Sequence, residues 1–243
     1  MIKRFKNERY NEIANQIKPQ FKAEEKYKEN NTEITIYGDI GESWFGEAVT
    51  AKQINETLKN IDTERITIHL NSPGGDAFEG IAIYNQLKDH DAKVTVYVDG
   101  LAASIASIIA MAADELIMNK GSMLMIHEAS TYAWGTKHDI QKTLNALEGI
   151  DKSLSDIYMT RYQGERSEIE TMITNETWFT SEEAVEVGLA DKVNEVEVEE
   201  ENEEVDPEEF KNNILKRFRS QKEPVPMVAS SKSILDNFRR NEN

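Results

Sequence analysis

Lys93-Val94-Thr95-Val96-Tyr97-Val98-Asp99-Gly100-Leu101-Ala102-Ala103-Ser104-Ile105-Ala106-Ser107 is the stretch whose reading decides the fold of this chain. Residues 93–98 alternate with period two and are rich in valine, which reads as a strand. The run from Ser104 onward is built from alanine and isoleucine and reads as a buried helix that Ser104 opens. A strand that feeds a helix directly is half of a strand–helix–strand unit, and the flanking sequence repeats the pattern. Ile34-Thr35-Ile36-Tyr37 alternates as a strand, and residues 47–58 follow as a helix with Ala48, Ala51, Ile54 and Leu58 at spacings of three and four. Arg65-Ile66-Thr67-Ile68-His69-Leu70 is another strand. It leads through Asn71-Ser72-Pro73-Gly74-Gly75-Asp76 into a helix carrying Ile81, Ile83, Tyr84 and Leu87. Residues 115–118 and 123–127 read as two further short strands. Connections of this length imply an α/β fold, a parallel sheet flanked by helices.

Beyond this sheet, Ile140, Leu144, Leu147, Ile150, Leu154, Ile157 and Tyr158 form one apolar stripe and predict a long helix over 138–163. Shorter helices are expected over 167–173 and 181–187. In the latter, Ser181-Glu182-Glu183 supplies a cap and two acids at the positive end of the helix. Residues 1–30 are polar and mixed in charge and read as an N-terminal extension, and the folded domain is expected over 31–193. After Val193 the composition changes abruptly. Ten acids and no base lie between Glu195 and Glu209, so 194–209 reads as a solvated, disordered linker. Residues 210–243 turn basic, with eight Lys or Arg against three acids, and Ile214, Leu215 and Phe218 there can share one face of a short helix.

Composition excludes several classes of function. A chain of 243 residues can bury a full core. Its formal charge of −17 argues against nucleic acid as a partner. The absence of cysteine removes thiol nucleophiles, thiolate metal sites and disulfides. No apolar stretch is long enough to span a bilayer and the first residues lack a secretory core, so a cytoplasmic location is expected, without membrane, metal or cofactor.

Three pieces carry chemistry. Ser104 at a helix start lies near unpaired N–H groups and the positive end of the helix dipole, a setting that favours an alkoxide and a neighbouring oxyanion. The competing reading is an N-cap serine in a tightly packed helix. Ser107, one turn on, is expected to face packing. A serine nucleophile needs a base, and four histidines are available. His69 lies within a strand, His90 in the charged turn Lys88-Asp89-His90-Asp91, and His138 at the start of the long helix. His127 ends the run Met123-Leu124-Met125-Ile126, where a side chain emerges at the carboxyl edge of the sheet. The turn at Asn71–Gly75 has no Cβ at Gly75, so a peptide or tetrahedral intermediate can approach that N–H closely. It also reads as a plain connecting turn. It is not a phosphate loop, because no Lys-Ser/Thr follows.

Asn71-Ser72-Pro73-Gly74-Gly75, Gly100-Leu101-Ala102-Ala103-Ser104, Met125-Ile126-His127 and Thr180-Ser181-Glu182-Glu183-Ala184-Val185-Glu186-Val187-Gly188-Leu189-Ala190-Asp191, in this order, resemble the proteolytic subunit of the Clp serine protease family. The resemblance spans about 34–193. It implies a crotonase-like α/β fold with Ser104 as nucleophile, His127 as general base, and the N–H groups of Gly75 and Ile105 as an oxyanion hole. It further implies a ring-shaped homo-oligomer, two stacked heptamers meshed by the long helix, acting on protein substrates. The family's third triad member is an aspartate; the matching position here is Glu176, in Asn175-Glu176-Thr177-Trp178-Phe179, with Asn175 the alternative orienter. The Glu-Thr-Trp-Phe variant and the extended C-terminus are similar to Clp-like proteases of phage and prophage morphogenesis modules, which implies cleavage of scaffold and capsid precursors. Three alternatives stand beside that reading: a housekeeping subunit served by an ATPase unfoldase, a catalytically silent ring scaffold, and acyl-CoA chemistry on the same fold.

Overall fold

A computed structural model of the chain describes residues 5–6, 8–14, 16–41 and 48–194. The linker and basic tail expected after Asn194 lie outside the described residues. Among the described residues eight strands form one sheet. Its parallel body runs β2 (Asn31–Tyr37), β3 (Arg65–Ser72), β4 (Lys93–Ala103), β5 (Glu115–Asn119) and β8 (Lys192–Asn194). The period-two pattern read from the sequence has a direct physical outcome. Ile34, Ile36, Ile66, Ile68, Leu70, Val94, Val96 and Val98 are all buried on one face, each worth about 1.5–3 kcal/mol of transfer free energy. Thr35, Tyr37, Thr67, His69, Thr95 and Tyr97 alternate with them and stay half-buried on the other. Against the aliphatic face pack α2 (Ala51–Leu58), α3 (Ala77–Lys88) and the wholly buried α4 (Ile105–Ala110).

β4 is the element that positions the site. It runs five residues past the strand expected at 93–98 and changes partner along its length. Residues 95–98 pair with β5, and Leu101–Ala103 pair with β6 (Met123–Ile126). The switch occurs at an irregularity: Leu70 faces Val98, but Ser72 faces Ala102, so β4 spends four residues where β3 spends two. Asn71 Oδ1 accepts the Leu101 N–H at 3.1 Å across this bulge. A Cβ at Gly100 would come 3.1 Å from that oxygen. Bulges re-aim a strand, and this one turns the end of β4 toward the end of β6.

The polar extension is partly structured. Residues 20–26 form β1 (Gln20–Lys26), antiparallel to β2 at the sheet edge, and residues 8–14 form α1 (Glu8–Ala14). β1 is exposed along nearly its whole length and charged, so no apolar alternation announces it. Main-chain pairing from Gln20↔Tyr37 to Lys26↔Asn31 and a Lys26–Glu33 ion pair at 2.9 Å hold it. Such charged, exposed edges resist further strand addition.

The helix expected at 47–58 starts at Ala51, behind a Thr50/Gln53 capping box, and Glu47 lies outside the described residues. The long helix α5 (Lys137–Tyr158) ends five residues early, where the chain turns and Gln163 N–H reaches Val187 O at 3.4 Å. α6 (Arg166–Thr174) leads into the unforeseen strand β7 (Thr177–Thr180), which pairs antiparallel with β6. α7 (Ser181–Glu186) is capped by Thr180 rather than Ser181: Thr180 Oγ1 accepts the Glu183 N–H at 3.2 Å, and the Glu183 carboxylate accepts the Thr180 N–H at 2.8 Å. Among the described residues no helix is long and apolar enough to cross a membrane.

Candidate active site

Parallel β4 and β6 end side by side, with Ala103 opposite Met125 and the Ser104 N–H donating to Met125 O at 3.0 Å. Ser104 follows β4 and His127 follows β6, so the pairing register alone brings them together. Ser104 Oγ lies 2.7 Å from His127 Nε2. The N-cap reading of Ser104 separates here from the nucleophile reading. Ser104 does occupy the cap position of α4, but its side chain makes no capping hydrogen bond. Its backbone sits at φ 55°, ψ −130°, a region that L-residues rarely adopt. The hydroxyl is thereby turned away from the helix it opens and onto the imidazole.

The remaining histidines lie away from Ser104. His69 Nδ1 is 3.0 Å from Asp99 Oδ2. The His90 ring lies against Leu58 O and the Ala92 N–H, and His138 is exposed on α5. His127 is the histidine whose burial depresses it: desolvation, helped by the nearby Lys6 charge, holds the imidazole below its ordinary value, against the upward pull of Glu176 and Glu128. The ring is therefore neutral at neutral pH and has a lone pair to accept a proton.

The glycine turn closes over the same spot. Ile40 N–H donates to Gly74 O at 3.0 Å, Asp76 N–H to Ile40 O at 2.9 Å, and Gly74 N–H to Ser72 Oγ at 3.0 Å. These bonds fix the turn on both sides of Gly75. A Cβ at Gly75 would lie 2.0 Å from Ile40 O, and one at Gly74 would lie 2.7 Å from Ser104 Cβ and 3.1 Å from Ile105 N. Only glycine fits at either position. The Ile105 N–H opens α4, where first-turn amides lack partners within the helix.

Behind the serine, Ser107 Oγ donates to Ser104 O at 2.6 Å and lies 2.7 Å from the Tyr158 hydroxyl of α5. Ser107 thus faces packing, as expected. It also links the last turn of α5 to the strained backbone of Ser104. Burial pushes the Tyr158 phenol well above its ordinary range, so it remains a neutral donor.

Glu176 is near His127 but is not hydrogen-bonded to it. It occupies the position just past the C-cap of α6 with φ 56°, a left-handed conformation usually taken by glycine. Its carboxylate accepts the Lys6 N–H at 2.9 Å and 3.1 Å and the Trp178 Nε1–H at 3.4 Å. Among the described residues no hydrogen-bond partner reaches Nδ1 of His127. Asn175, the alternative orienter, is exposed and serves as the C-cap of α6. Beside the pair opens a cleft of about 370 Å³ lined by Phe5, Lys6, His127, Glu128, Thr174 and Glu176. Sequence reading missed Phe5, Lys6 and Trp178 as neighbours of the site. Lys6 and Glu176 are 170 positions apart, and no local signal connects them. Among the described residues no group of three or more His, Cys, Asp or Glu is arranged to hold a metal ion.

The fold is a crotonase-like α/β sheet, and a hydroxyl–imidazole contact lies where two of its parallel strands end, at their carboxyl edge. The Clp protease profile matches residues 12–197, and the chain belongs to the Clp protease family, a family of peptidases. It is similar to "ATP-dependent Clp protease proteolytic subunit 1" of Chlamydia abortus, 30% identical over 166 residues, covering 64% of this chain and 86% of the relative. The protein of the same name from Chlamydia caviae is 30% identical over 166 residues, covering 64% and 87%. That of Protochlamydia amoebophila is 35% identical over 128 residues, covering 51% and 62%.

Proposed function

We propose that this protein is a serine endopeptidase in which Ser104 attacks the scissile carbonyl. The observation that carries the reading is the 2.7 Å contact of Ser104 Oγ with His127 Nε2, made by a serine whose backbone conformation withholds it from helix capping. His127, neutral and protonated on Nδ1, takes the hydroxyl proton on Nε2 as the Oγ–carbon bond forms. The negative charge on the tetrahedral oxygen is met by the N–H groups of Gly75 and Ile105 at the start of α4. His127 then returns the proton to the leaving amine, and water repeats the cycle on the acyl-enzyme. Glu176 is the carboxylate available to orient Nδ1–H and to stabilise the imidazolium. Its place beside the ring and its upward pull on His127 support that role.

The unit of function is a ring of identical subunits. Tyr132 and Trp134 are 95% and 97% exposed, and Ile140 and Leu144 on α5 are about half exposed, an apolar surface of the kind that subunit contacts bury. The substrate is protein. The Glu-Thr-Trp-Phe variant and the acidic-then-basic sequence after Val193 favour a phage or prophage head-maturation protease that cleaves scaffold and capsid precursors. The names of the relatives favour a second reading, degradation with an ATPase unfoldase. Wild type and Ser104→Ala, each incubated with the capsid or scaffold precursor encoded beside the gene, test the first reading. The expected result is defined cleavage without ATP, lost by a factor of order 10⁶ in the variant. Equal cleavage by both proteins would overturn the assignment of Ser104. Turnover of a folded substrate only with an unfoldase and ATP would select the second reading.

A further inference from the structure

The N-terminal segment reaches the candidate site, clasped within itself by Asn11 and held there by contacts of Phe5, Lys6 and Tyr10. Asn11 of α1, 4% exposed, accepts the Phe5 N–H on Oδ1 at 2.9 Å and donates Nδ2–H to Phe5 O at 2.8 Å. Phe5, 2% exposed, presents its edge to Trp178 at 5.2 Å and to the His127 ring at 6.4 Å, within an apolar cluster that includes Ala103 and Met125. Tyr10 lies over Trp178 at 4.3 Å. The Lys6 N–H takes the Glu176 carboxylate, and Lys6 Nζ donates to Thr174 O at 3.2 Å.

The carboxylate placed to orient His127 thus accepts from the residue 6 N–H and the Trp178 indole N–H, while the aromatic ring of residue 5 walls the cleft beside the imidazole. We propose that Phe5–Lys6 is an autoinhibitory strap, resting on the assignment of Ser104 and His127 above. It holds the site in a resting arrangement by keeping Glu176 off His127 Nδ1. Its displacement releases Glu176 to accept the Nδ1–H. An extended peptide with an apolar side chain is the chemistry that competes with the strap, because it offers the same main-chain donor and the same kind of side chain to the same surface. Such a ligand stabilises the released state through contacts it can make only there.

The test uses the full chain, with Lys6→Pro removing the N–H that binds Glu176 and Asn11→Ala removing the clasp on Phe5. The His127 titration, followed by NMR and assigned with His127→Gln, is expected to move upward by about one pH unit in Asn11→Ala and in Lys6→Pro, the latter measured against Lys6→Ala, which loses the same charge but keeps the N–H. Labelling of Ser104 by a fluorophosphonate is expected to speed up about tenfold. Both gains should vanish when Glu176→Gln is added to Lys6→Pro. An unchanged His127 titration in folded Lys6→Pro and Asn11→Ala would overturn the strap, as would gains that survive Glu176→Gln. Absence of Ser104-dependent labelling in every variant, with the titration shift intact, would overturn instead the catalytic assignment on which the strap rests.

Discussion

At Ser104 the backbone sits at φ 55°, ψ −130°, and a residue in such a region costs of order 1–3 kcal/mol. The strain is held by the β4–β6 ladder, by Ser107 on the Ser104 carbonyl, and by the fully buried α4 that follows. Glycine tolerates that conformation and alanine does not. Ser104→Gly is therefore expected to be more stable than Ser104→Ala by about 1 kcal/mol, with both inactive. Urea midpoints of the two variants check this. Equal midpoints would mean that the positive φ relaxes once the hydroxyl is gone. Ser104 and His127 were both legible as chemistry from their place at element ends. The φ of Ser104 was not, because it is imposed by the pairing of β4 with β6 and not by its neighbours in sequence.

At the scale of elements, the half-buried face of the sheet carries a polar network across four strands. Asp99 on β4 accepts from Tyr37 on β2 at 2.6 Å, from His69 on β3 at 3.0 Å, and from Asn119 on β5 at 2.7 Å. His69 also stacks on Tyr97 at 5.5 Å. The hydrogen bond to Asp99 raises His69 above its ordinary 6.5, against burial. Burial pushes Asp99 upward, but the hydrogen bonds from His69, Tyr37 and Asn119 outweigh it and hold the group below 3.8. Burial and the neighbouring Asp99 push the Tyr37 phenol up to about 12. A raised histidine contributes fully below 6.5 and loses its contribution as pH rises through its folded value. A lowered aspartate contributes above 3.8 and loses it as pH falls through its folded value. The difference in melting temperature between wild type and His69→Phe should therefore be largest near pH 5–6 and shrink as pH rises above 6.5 through the folded value. A difference constant across that range would show that packing on Tyr97, not charge, is what His69 supplies. Period-two alternation puts His69 on the face opposite Ile66 and Ile68, but its partner sits on another strand and emerges only with the register.

For the whole molecule, α5 sorts its own apolar stripe into two parts. Leu154 and Tyr158 enter the core, whereas Ile140 and Leu144 stay about half exposed together with Tyr132 and Trp134. A stripe that continues past the core predicts a partner surface. Ile140→Asp with Leu144→Asp is expected to shift the protein in sedimentation velocity from a large ring to small species while leaving the fold intact by circular dichroism. A wild-type protein that sediments as a monomer would refute the ring. By itself, the sequence determined the parallel sheet, its aliphatic face, and the serine, histidine and glycine turn of the candidate site, because period-two and helical spacings and element ends are local properties of the chain. Tertiary structure alone decided three things: the edge strand β1, the partner switch along β4, and the capture of Glu176 by the Lys6 backbone. Each is a main-chain hydrogen-bonding event between distant segments, and main-chain donors and acceptors are the same at every residue, so side-chain pattern cannot announce them.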